Sequence, residues 1–171
     1  TALQNFTGVK VGDVNGSAAP EFSSLESRSV KELSIHLPSV NLVANQLMEI
    51  PVYSDINNIE GLQGEIKIDN ASVIGIKEKS GFIGQPAFKQ DLFNQGILRF
   101  SWVRPLEMKG VTGLQPLFTI YVRSGLNGKL ENAISLSNTK LKSEAYTYSG
   151  DQLGLELTFN SSSLVQVIDQ K

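Results

Sequence analysis

Cysteine is absent from the sequence, which excludes disulfides, thiolate metal sites and cysteine nucleophiles together. Its absence does not fix the compartment. Histidine occurs once, at His36, so neither a multi-histidine metal site nor a second proton relay exists. No GxSxG, HExxH, Walker loop or dinucleotide fingerprint is present, and Ser-His-Asp chemistry would have to depend on His36 alone. Charge of one sign is lacking too. Fifteen Lys and Arg face seventeen Asp and Glu in interspersed order, for a net charge of -2. That balance leaves no electrostatic footprint for nucleic acid and no polybasic run for anionic lipid. No apolar run approaches the ~20 residues that cross a bilayer, so membrane insertion is not expected. The chain starts at Thr1 without a signal-peptide pattern, which suggests a processed protein or an excised part of a longer one.

What is present is strand periodicity. With 171 residues, 40% hydrophobic and 19% charged, the chain has the length and composition for one cored domain with a short tail. The stretch MEIPVYSDINNIEGLQGEIKID is the clearest architectural signal. Met48, Ile50 and Val52 alternate with Glu49, Pro51 and Tyr53; after a polar bend, Leu62, Gly64, Ile66 and Ile68 alternate with Gln63, Glu65, Lys67 and Asp69. Period-two alternation gives each segment one apolar and one wet face. Leu33, Ile35 and Leu37 repeat the pattern and put His36 on the polar side. In GILRFSWV the apolar face carries Leu98, Phe100 and Trp102, which suits a central core strand. Phe118, Ile120 and Val122 alternate in the same way, as do Leu153, Leu155, Leu157 and Phe159.

Between these segments lie turn signals. Asn127-Gly128 predicts a tight primed hairpin turn with an exposed tip. Residues 80–94 have no clean period and read as a loop with one irregular strand and a helical turn near Asp91. No run of helical period is convincing. The expected fold is therefore all-β, a two-sheet antiparallel sandwich.

The opening residues, rich in Gly, Asn, Ser and Pro, differ from the rest and read as turn and linker. Within them Asp13, Asn15 and Ser17 alternate as oxygen-bearing side chains around Gly16, the spacing that begins a calcium loop of the EF-hand kind. Ser24 stands where such a loop would close on a bidentate acid, so an ordinary Asn-Gly turn and a partial calcium site both remain open. No other cofactor is expected. A paired-carboxylate mechanism could draw on Asp55, Glu60, Glu144 or Asp151, but turns and wet faces are also where acids serve solubility. A sugar-stacking surface could draw on Trp102, Tyr121, Tyr146 and Tyr148.

The succession EIPVYSDINNIEGLQGEIKID, GILRFSWV, PLFTIYVRSGLNGKL and EAYTYSGDQLGLELTF resembles, in order and spacing, the cohesin-like domains of exported bacterial proteins, over about Val30 to Asn160. The opening NFTGVKVGDVNGSA resembles the closing end of a dockerin-type repeat, with Asp13, Asn15 and Ser17 at its calcium-loop positions. This tandem looks like the penultimate region of large surface proteins exported by type IX secretion. The resemblance implies a flattened jelly roll of about nine strands. Three segments follow from it: a dockerin-like end and linker over 1–28, a cohesin-like sandwich over 29–160, and an extension or extra strand over 161–171. It also implies a non-enzymatic module, extracellular or on the cell surface, whose partner is a dockerin-like or other surface protein. A polysaccharide partner or a passive spacer role are the alternatives. In cellulosomal cohesins one sheet face grips the dockerin helices.

Overall fold

The computed structural model describes residues 31–77, 86–106 and 112–160. Asp13, Asn15 and Ser17, and the segments 1–28 and 161–171, lie outside the described residues. The strands in order are β1 (Glu32–Pro38), β2 (Asn41–Leu42), β3 (Leu47–Asp55), β4 (Ile59–Ile68), β5 (Ala71–Lys77), β6 (Ala87–Lys89) and β7 (Ile97–Val103). They continue as β8 (Leu114–Ser124), β9 (Gly128–Lys129), β10 (Ile134–Ser137), β11 (Glu144–Thr147) and β12 (Gln152–Asn160). A 3-10 turn, Phe93–Gln95, precedes β7, and one helical turn, Leu130–Ala133, precedes β10.

Hydrogen bonding runs without a break in the order β5-β8-β3-β1-β12-β11-β4-β7-β6, with β10 also paired to β4. The sheet curls over on itself. Phe118 of β8 meets Phe100 of β7 at 5.2 Å between ring centroids and Phe88 of β6 at 5.1 Å, so strands from the two arms of the path face each other as layers. Apolar faces that alternation gives each strand are buried in that contact, as period-two strands with one wet side require. Ile35, Ile50, Ile66, Leu98 and Ile120 have no solvent exposure, and Trp102 retains 3%.

The alternation reading holds for most strands, and the differences have local causes. One pair is parallel rather than antiparallel: β1 runs alongside β12, Ile35 opposite Leu157, which makes the sheet mixed. Asn127-Gly128 does not form a primed turn, because neither residue has positive φ; Gly128 and Lys129 instead cross to pair with β2. The Asn127 side chain accepts a hydrogen bond from the Ala44 N–H at 2.8 Å, which fixes the crossing. A bulge opposite Val52 and Tyr53 inserts one residue into β8, and both Leu117 and Phe118 are buried there. In β12 only Leu155 is buried; Leu153, Leu157 and Phe159 pack against the core's border, because this strand lies where the two layers join.

Candidate functional site: the outer face of the β4 layer

The residues of β4 that point away from the core are Gly61, Gln63, Glu65 and Lys67. Antiparallel register sets Arg99 opposite Glu65, Ser101 opposite Gln63 and Val103 opposite Gly61 on β7. On the other side of β4, β11 sets Glu144 opposite Gln63 and Tyr146 opposite Gly61. Direct opposition brings these side chains within reach of one another on one face.

Two charged clusters organise the face. Arg99 Nε donates to Glu65 Oε2 at 2.5 Å, and the two side chains are 16% and 2% exposed. The shielding comes from β10 and β11, which share one edge of β4 but leave residues 138–143 outside the sheet between them. That excursion closes through Asn138 Oδ1, which accepts the Ser143 N–H at 2.7 Å. Ser143 Oγ then accepts the Glu65 N–H at 3.3 Å and donates to the Ser137 carbonyl at 3.2 Å. Burial acts to raise the Glu65 pKa, but hydrogen bonds from Arg99 and Ser137 and the charges of Arg99 and Lys140 outweigh it, so the carboxyl lies below its usual 4.5.

Glu144 is the second hub. It accepts from Lys142 Nζ at 3.0 Å, from the Tyr146 hydroxyl at 2.8 Å, from Gln63 Nε2 at 3.2 Å and from Gln152 Nε2. The hydrogen bond from Lys142 leads in holding its pKa below the usual value, against the opposing effect of burial. The Tyr146 hydroxyl's own hydrogen bond to Glu144 raises its pKa, with some help from burial. Beside these fixed groups stand two residues with apolar surface open to solvent, Val103 at 71% exposure and Tyr146 at 42%.

By sequence, no protein-family model and no curated protein matches the chain. Solved structures do. A non-cellulosomal cohesin from the archaeon Archaeoglobus fulgidus superposes with a TM-score of 0.54 at 15% identity, over 77% of this chain and 92% of that one. The sixth cohesin of scaffoldin B from Acetivibrio cellulolyticus, solved in complex with a dockerin, gives 0.53 at 10% identity, over 77% and 100%. A type I cohesin–dockerin complex from Clostridium thermocellum gives 0.54 at 14% identity, over 75% and 95%. The chain has the cohesin fold. At such identities the likeness is one of architecture, and the chemistry has to be read from the residues.

The fold places the other candidate residues apart from one another. His36 lies on the outer side of β1, where Nδ1 meets Thr158 Oγ1 at 2.7 Å and Asn160 Nδ2 at 3.4 Å. Among the described residues no carboxylate hydrogen-bonds to this ring, so the His–Thr pair lacks the third, orienting group of a nucleophilic triad. Among the described residues there is also no group of three or more acids and histidines placed to hold a metal. Trp102 faces the core. Tyr121 is on the outer side of β8 in the opposite layer, Tyr146 is on the β4 face, and Tyr148 is in the turn after β11, so the aromatics do not form one row. Asp55 and Asp151 sit at one end of the sandwich, Glu60 is exposed on β4, and only Glu144 joins the organised face. Glu65 and Arg99 were not legible as a site. Their parity marks a wet face, and the strand interruption at 138–143 comes over Glu65.

Proposed function

We propose that this domain is a non-catalytic module that docks a protein partner, with the outer face of β11, β4 and β7 as its contact surface. The observation that carries the reading is the pairing of Glu65 with Arg99 on a face that would otherwise be bathed in water. Charged groups held by several hydrogen bonds keep their rotamers before a partner arrives, which lowers the ordering cost of association. Val103 and Tyr146 then offer the apolar anchors that such a rigid polar setting surrounds. The solved cohesins that share the fold and were captured with dockerins support a protein as the partner. In this reading the module works outside the cell, in a multidomain secreted or surface protein of the type IX kind. The opening segment is then a dockerin-like end in which Asp13, Asn15 and Ser17 contribute to a calcium loop.

The test uses the intact chain as bait against the secreted and surface proteins of the source organism. Val103→Asp should lose a protein that the unaltered chain retains, while Thr119→Asp, on the outer side of β8, should keep it. Equal retention by both variants, or no specific protein retained by the unaltered chain, contradicts the proposal.

A further inference from the structure

A second surface, separate from the β4 face, lies at one end of the sandwich. An open cleft of about 830 Å³ runs between the β3–β4 turn, the β11–β12 turn and the start of β1. Tyr148 stands in it at 56% exposure, flanked by Asp55, Asn57, Asn58 and Asp151. Loop tips are ordinarily the loosest parts of a β-sandwich. This one is fastened from below.

Arg104, just beyond β7, is 9% exposed, and among the described residues no carboxylate lies within ion-pair distance of it. Its guanidinium donates instead to the carbonyls of the β3–β4 turn: Ile59 at 2.7 Å, Asn57 at 3.0 Å and Ile56. It also lies over two rings, 5.9 Å from the Trp102 centroid and 5.1 Å from that of Tyr148. The Tyr148 N–H donates to the Asn58 carbonyl at 3.2 Å, and Gly150, at φ 83, closes the turn that carries the ring. A buried cation thus fixes two turns and one aromatic ring in a single rigid body, and the ring is presented to solvent.

We propose that this cleft binds a neutral glycan chain, with Tyr148 as the stacking platform and Asp55 and Asp151 as acceptors for sugar hydroxyls. An aromatic face packs against the C–H face of a pyranose ring, and carboxylates beside it accept from hydroxyls with charge-assisted strength. Asp55 and Asp151 have oxygens engaged only within their own turns, to the Asn57 N–H at 3.1 Å and to the Ser149 hydroxyl at 2.8 Å, and both side chains are exposed. The charges select against other ligands. Glu32, Asp55 and Asp151 outnumber Lys31 in the lining and repel anionic polymers, and the Arg104 cation on one side of the Tyr148 ring opposes a second cation stacked on the other. The opposite end of the sandwich has a polar cleft of about 460 Å³, lined by Asn45, Asn70, Asn94 and Arg123, but it contains no aromatic platform.

The experiment is native affinity electrophoresis of the intact chain in gels containing mixed-linkage β-glucan, xylan, glucomannan, galactomannan or laminarin. At least one of these polymers should retard the chain. Tyr148→Ala should weaken that retardation about tenfold, Tyr148→Phe should keep it within about threefold, and Tyr146→Ala on the β4 face should leave it unchanged. Asp151→Asn serves as a second variant that leaves the platform in place, and it should weaken binding as well. Retardation by none of the neutral polymers overturns the proposal. So does equal retardation of the Tyr148→Ala protein, or a preference for polygalacturonate or polylysine.

Discussion

Replacing Glu65 by alanine is the sharpest test of how the β4 face is held. The substitution leaves the Arg99 guanidinium, 16% exposed, facing a space that no longer contains its anion. Breaking a buried pair by removing one partner costs about 3–5 kcal/mol, because the remaining charge stays desolvated. Partial access of Arg99 to water reduces this to roughly 2–3 kcal/mol. That corresponds to a fall in Tm of roughly 6–12 °C for a domain of this size. Urea unfolding followed by the emission of Trp102, 3% exposed and the only tryptophan, reads the change directly. Removing both charges with Glu65→Leu and Arg99→Met should recover most of the loss, since a well-packed apolar pair replaces a desolvated ionic one at little net cost. A Glu65→Ala change below about 0.5 kcal/mol would refute the reasoning and class the pair with ordinary exposed ion pairs.

Acid should erode stability through the same groups. Glu65 and Glu144 both titrate below the usual 4.5 in the folded chain, so the unfolded chain takes up protons first as pH falls. Their contribution is complete above about pH 5 and is lost as pH drops below 4.5 through the folded values; urea midpoints across that range should fall, and less steeply in Glu144→Gln. Gly96→Ala should cost about 2–4 kcal/mol, since φ is 72 and a Cβ would lie 2.2 Å from the Ile68 carbonyl oxygen. Gly113→Ala, at φ 76 but with open space around it, should cost only about 1 kcal/mol, and similar midpoints for the two variants would contradict this account.

Alternation alone was enough to read the centre of the core. Leu98, Phe100 and Trp102 share a phase that no other element could use, and the structure buries all three. Ile35, Ile50 and Ile66 follow for the same reason, and His36 is found on the side that its parity assigns. What stayed hidden depends on which strands become neighbours. Gly128 pairs with Leu42, far away in sequence, and nothing local distinguishes that crossing from a hairpin turn. The parallel alignment of β1 with β12 is likewise a property of the closed path. Burial of Glu65 requires β10 and β11 to share one edge of β4 with residues 138–143 displaced between them, so its position among wet-face residues gave no warning. Arg104 was invisible for a similar reason, since its partners are carbonyls of a turn more than forty residues earlier, Ile59 and Asn57.

Nuclear magnetic resonance of the labelled chain, titrated with the protein that it retains from the secreted fraction, tests the docking surface most directly. Amide shifts should cluster at Gln63, Arg99, Ser101, Val103 and Tyr146. Shifts centred on Glu49, Thr119 and Tyr121 of the opposite layer, or none beyond the chain ends, would contradict the assignment of this face.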